Sequence, residues 1–252
     1  VGSLAEMISL MLNDFDKNDE ETQVRLVLQV IPFFQEIFST ISPNNQKNQQ
    51  LHKASFSYFN ACNHCLKSIV KDKTDLKTFS DFFDQFIRSC LVSDCAEPIS
   101  QLIFAIVSLN NESNENLLLF TPPINSYFLD KNLRSEFIKK EGFSLVWATY
   151  SSENNNNLAP FVFEQLINYH QFFFTPSYLK QIENFFTMTS TGFKNLPTQK
   201  AHFLLGLFEK MASANISFFD NHFESTFGFN TISNYILDHQ NDDFYKYIDY
   251  LL

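Results

Sequence analysis

An all-α fold is what this sequence predicts, and three observations carry the prediction. Apolar residues recur at three- and four-residue intervals in nearly every long segment, the period of a helix with one buried stripe. Glycine is scarce, 5 in 252 residues, which argues against the many tight turns of a sandwich or barrel. Strand-like runs such as Phe161–Phe163 and His170–Phe174 are short and sit inside helix-period segments.

Taken in order, residues 3–14 open the chain as a helix. Ser3 and Glu6 form a Ser-x-x-Glu capping box, and Leu4, Met7, Ile8 and Met11 supply its buried stripe. An acidic loop, Asp16–Glu21, leads to a helical stretch over 22–41. Pro32 interrupts it, removing one backbone bond and predicting a kink or a split. The Asn/Gln-rich run Ser42–Gln50 reads as a polar loop. Helices follow over 51–70 and 78–93. The second carries Phe79, Phe82, Phe83, Phe86 and Ile87 on one face, with Thr78 and Asp81 as its cap. Over 97–110 a further helix has Pro98 in its first turn, where the missing amide costs nothing.

Thr121–Asn125, with two adjacent prolines, reads as a break and as a sub-boundary inside one helical segment spanning 1–252. Beyond it the period predicts shorter helices over 129–140, 143–150, 158–173, 176–188, 198–214, 216–225, 229–238 and 242–252. The Asn run at 152–157 and the stretch Thr191–Pro197 read as loops.

Composition bounds the function. Apolar residues make up 44% and charged residues 18%, so the chain can bury a sizeable core. The formal net charge of −10 lacks the basic footprint of a polyphosphate partner, so no nucleic acid is expected. No apolar run approaches the ~20 residues of a membrane-spanning helix. The opening segment has no basic region before its apolar core, so it does not read as a signal peptide. Because it opens on Val, the chain is expected to be part of a longer polypeptide. Four cysteines are too few for a disulfide scaffold of this length, and a cytosolic location is expected.

The sharpest pattern with chemical content is Cys62-Asn-His-Cys65, with Cys90 and Cys95 downstream. Paired thiolates are how zinc sites are built, and Cys-x-x-Cys also serves redox chemistry. Against both stands the helical period around Cys62 and Cys65, which reads as core thiols, with His64 pointing in another direction. The six histidines form no metal-binding spacing. No nucleophile elbow, phosphate loop or kinase signature occurs, so the chain reads as non-catalytic, with no cofactor. The Phe stripes read as core, or as an apolar groove that accepts a partner helix.

Two stretches repeat a pattern: Phe137-x4-Gly142-Phe143-x2-Val146 and Phe223-x4-Gly228-Phe229-x2-Ile232. They lie 86 residues apart, twice 43, and helical repeats run about 40–47 residues. The glycines are expected at positive φ, ending one helix so that the next leaves at an angle. With 31 Phe in the chain, coincidence is the competing account, and no clear intermediate copy stands near position 180.

Leu133–Tyr150 resembles an armadillo-type unit. The resemblance implies a right-handed armadillo/HEAT-like α-solenoid of stacked helix pairs, about six units at ~43 residues each. The Phe-rich helices and Asn-rich loops also look like the helical N-terminal regions of very large BEACH-domain proteins. That implies a scaffold segment binding protein partners in a membrane-trafficking assembly. A compact helical adaptor or transport-receptor fragment is the first alternative, and a zinc-binding or enzymatic helical module resting on the four cysteines is the second.

Overall fold

A computed structural model describes residues 2–40, 49–89, 95–109, 114–152, 158–168, 176–214, 223 and 228–239. The regular elements among them are α-helices and short 3-10 turns, with no β-strand. In chain order the helices are α1 (Gly2–Leu12), α2 (Glu20–Thr40), α3 (Gln49–Ile69), α4 (Lys73–Ile87), α5 (Ala96–Val107), α6 (Asn114–Leu117), α7 (Thr121–Leu129), α8 (Lys131–Lys139), α9 (Gly142–Ser151), α10 (Leu158–Asn168), α11 (Pro176–Phe193), α12 (Thr198–Ala214) and α13 (Gly228–His239). The chain forms two compact units, one up to Phe137 and one from Ile138, apart from a short exchange at Asn156–Leu158. The division falls inside α8.

In the first unit α3 packs on both α1 and α5, while α2 packs on α1, α3 and α4, and α4 packs on α7. The core between α2, α3 and α4 is aromatic. Phe34, Tyr58, Phe59, Phe82 and Phe86 are all essentially inaccessible. Phe86 meets Phe59 at 4.6 Å and Phe34 at 5.6 Å between ring centroids, both edge-on. Such pairs add about 0.5–1.5 kcal/mol each beyond area burial. The predicted stripe Phe79, Phe82, Phe83, Phe86, Ile87 is buried throughout.

Polar side chains tie the helices together. The Ser100 and Tyr127 hydroxyls meet at 2.9 Å, joining α5 to α7. Asn63 donates from α3 to the Pro98 carbonyl at 3.2 Å. Arg88 Nε donates to Asp84 and to the Ser126 hydroxyl, which itself donates to Asp84.

Several local expectations are corrected. Helix α1 already runs from Gly2, so Ser3 lies within it rather than ahead of it. Its buried stripe is Ala5, Ile8 and Leu12; Ile8 alone comes from the predicted set, and Met7 is 45% exposed. Ala5 is buried in α1, and α3, on which α1 packs, buries Ala54 and Ala61. Pro32 does not split α2, which is continuous from Glu20 to Thr40.

Helix α4 starts at Lys73, capped by Asp72. The Asp72 carboxylate accepts from the Thr74 and Asp75 amides at 2.8 and 3.0 Å, while Thr78 sits inside the helix, bonded to the Thr74 carbonyl. Asp beats Thr as a cap because its carboxylate also complements the helix dipole. The segment Thr121–Asn125 is no break but the first turn of α7, where prolines are tolerated. The predicted helix over 242–252, and that over 216–225 apart from Phe223, lie outside the described residues.

In the second unit α11 packs on α9 and on α13. Phe163, Phe185, Phe186, Phe208 and Phe223 form its aromatic core. The stretch expected as a loop at Thr191 continues α11 to Phe193, and the helical Gly192 sits against the Trp147 indole. A Cβ built there would lie 2.8 Å from Trp147 Cζ2. Glycine is present here for close helix contact, not for a turn.

Candidate functional site

The cysteines occupy three different situations. Cys62 and Cys65 lie on the buried side of α3, and Cys95 is buried at the start of α5. Cys90 lies outside the described residues. Burial pushes the Cys62 thiol well up and the Cys65 thiol up to about 12, so both are held protonated at neutral pH. Cys65 donates to the Ala61 carbonyl at 3.3 Å, a helix-internal bond. His64 faces outward, edge-on to Phe15 at 6.0 Å. Among the described residues no group of three or more His, Cys, Asp or Glu is placed to hold a metal ion. The Tyr58 hydroxyl finds no hydrogen-bond partner there, and burial raises its pKa well above the usual phenol range, with Cys62 acting in the same direction.

The two Gly-Phe stretches both mark helix starts. Gly142 opens α9 and Gly228 opens α13. Phe137, Phe143, Val146, Phe223 and Ile232 are buried; the side chain of Phe229 lies outside the description. The backbone differs from expectation at one of them. Gly228 has φ of 55°, but at the first junction the left-handed residue is Glu141, at φ 54°, and Gly142 is already helical. The chain therefore turns one residue earlier there. Phe137 packs on Phe104 and Phe128, at 5.6 and 5.2 Å.

A polar clamp in the second unit was not visible in the sequence. Lys200 Nζ donates to the Tyr150 and Ser152 carbonyls, both at 2.7 Å, and the Tyr150 hydroxyl donates back to the Lys200 carbonyl at 2.6 Å. Lys200 thereby caps the C-terminal end of α9, where carbonyls are otherwise unpaired. Burial lowers its pKa and raises that of Tyr150. The fifty-residue separation, and the absence of any motif, hide such a pair from sequence reading.

A groove of about 600 Å³ lies between α2 and the α3–α4 corner. The Asp19 carboxylate caps α2, accepting from the Thr22 amide at 2.9 Å, and that bond holds the Asp19 pKa down. Glu21, Val24, Arg25 and Leu28, spaced three and four residues apart, line one side of the groove. Opposite stand Ser68, Lys71 and Asp75. Ser68 donates to the Glu20 carboxylate, which lies 3.6 Å from Lys71; both ends of that ion pair are exposed and contribute little to stability. Burial raises the Asp75 pKa, helped by Asp72.

Val24 and Leu28 give the groove an apolar floor, and its rim carries both signs of charge. Such a surface can seat a side chain and pair its flanking charges. A smaller groove of about 380 Å³ lies between α10 and α12, where Gly206 leaves open space beside Phe203. Glu164 and Lys210 face each other across it at 3.7 Å. No protein-family profile, curated protein or solved structure matches the chain.

Proposed function

We propose that this chain is a non-catalytic scaffold segment, an armadillo/HEAT-like α-solenoid of stacked helix pairs that binds protein partners. The observation that carries the reading is the pairing order of its helices. Helix α3 packs on both α1 and α5. Helix α4 packs on α2 and α7. In the second unit α11 packs on both α9 and α13, the two helices that open on the repeated glycines. A helix pair that recurs every 40–47 residues and buries its apolar face against the next pair is the logic of such arrays.

The groove beside α2 is the partner-binding surface in this reading. Protein partners in the cytosol, as part of a larger polypeptide, fit the acidic charge, and a BEACH-type trafficking scaffold is the wider context. The competing account is a compact helical adaptor. Small-angle scattering tests the architecture: an elongated particle is expected, and a compact one would end the solenoid reading. Affinity capture with the wild-type chain and with Leu28→Glu tests the function. A partner retained by the first and lost by the second is expected, and identical retention by both removes the groove from the reading.

A further inference from the structure

The groove beside α2 holds more negative charge than its own cations neutralise. The charged residues that line it are Glu20, Glu21, Arg25, Lys71 and Asp75. Both cations are engaged within the chain. Lys71 lies 3.6 Å from Glu20, while Arg25 approaches Thr22 Oγ1 at 3.5 Å and acts on the Asp19 carboxylate. Glu21 and Asp75 have no ion pair among the described residues. Burial raises the Asp75 pKa, and the neighbouring Asp72 charge adds to the rise. Two carboxylates, one on α2 and one on α4, thus line the groove uncompensated. Between the charges lies an apolar floor, with Val24 buried and Leu28 half-buried.

We infer that this groove seats a basic side chain, an Arg or Lys in a segment of a protein partner, with its methylene stem on Val24 and Leu28 and its charge paired by Glu21 and Asp75. The inference rests on reading the groove as the partner-binding surface. Charge complementarity selects the occupant. A neutral or acidic segment would cover both carboxylates without pairing them, and burying an unpaired charge is costly. Lys and Arg meet both demands of the groove, because they lay an apolar stem on apolar surface and keep the charged head at a polar rim. Arg25 and Lys71 set a limit: they disfavour a run of several basic residues, so the segment carries one. Glu21 and Asp75 also stand in the first turns of α2 and α4, where a carboxylate complements the helix dipole. A dipole role alone affects stability and leaves peptide binding unmoved, so binding is the measurement that decides.

The test selects a displayed library of random dodecapeptides on the 252-residue chain and measures the enriched peptides by fluorescence polarisation. They are expected to share one Arg or Lys at a fixed position and to bind more weakly as salt rises. Glu21→Gln combined with Asp75→Asn should weaken the best peptide about tenfold. Glu6→Gln combined with Glu36→Gln, outside the groove, should leave its binding unchanged. Circular dichroism checks that each variant keeps its helices. A charge swap gives a second, independent readout: Glu21→Lys should regain binding to the same peptide once its basic residue is replaced by Glu. Enriched peptides with no fixed basic residue overturn the proposal. So do unchanged binding in the groove variant, equal losses in the two double variants, or a charge swap that regains nothing. Leu28→Glu separates the two levels. Peptides that it releases but that share no basic residue end this inference alone. Peptides indifferent to Leu28→Glu, or a library that enriches none, end the reading of the groove as the partner-binding surface.

Discussion

Adding one methyl group at each of two glycines in the second unit should give opposite results. Gly192 and Gly206 both lie inside helices, where Gly→Ala ordinarily stabilises by about 1 kcal/mol through backbone entropy. At Gly206 a Cβ meets nothing within 4 Å, so Gly206→Ala should gain that full amount. At Gly192 the new Cβ would stand 2.8 Å from Trp147 Cζ2. The indole is a rigid ring, 7% exposed and held beside Tyr150 and Phe185, so it has little room to move. Overpacking of this kind costs about 1–3 kcal/mol. The net for Gly192→Ala is then a loss of up to about 2 kcal/mol, and the two variants should differ by roughly 1–3 kcal/mol. Trp147 is the only tryptophan in the chain, so urea denaturation followed by its fluorescence reports the unit that holds both sites. If Gly192→Ala proves as stable as Gly206→Ala, the close contact of α11 with Trp147 is not what requires glycine there.

Three other expectations follow from the packing. Phe86→Ala should cost about 3–5 kcal/mol by chemical denaturation, since it empties the centre of the Phe34, Phe59 and Phe82 cluster; a loss below 1 kcal/mol would deny that cluster its role. Asp72→Ala should cost about 1 kcal/mol by removing the cap of α4, and Asp72→Asn should recover most of it. Cys62 and Cys65 should stay unreactive toward a thiol reagent at pH 7 until the chain unfolds. Their folded pKa values lie above the ordinary thiol value of 9.0, so the stability they contribute is fully present below about pH 9. It should fall as pH rises from there toward about 12, the Cys65 value, and an alkaline denaturation series with a flat profile over pH 9–11 would contradict this.

The sequence by itself determined the helical class and much of the core. The Phe stripe of α4 was legible because five apolar residues at helical spacing leave only one face to bury. The cysteines of α3 were legible as core thiols for the same reason, and α12 was bounded correctly by its own period. Tertiary structure decided what local period leaves open. In α1 two adjacent apolar arcs compete, and the presence of α3 on one side selects Ala5, Ile8 and Leu12 over Leu4, Met7 and Met11.

Two prolines at 122 and 123 could end a helix or begin one, and α7 begins there, packed on α4. The helix between the two Gly-Phe junctions was legible over 176–188, but its last turn was not, because Gly192 reads as a turn signal and is instead helical where Trp147 needs the space. Whether a residue repeats is written along one chain, but which surface it is pressed against depends on neighbours tens of residues away. Those contacts set which apolar face is buried and where a glycine is required.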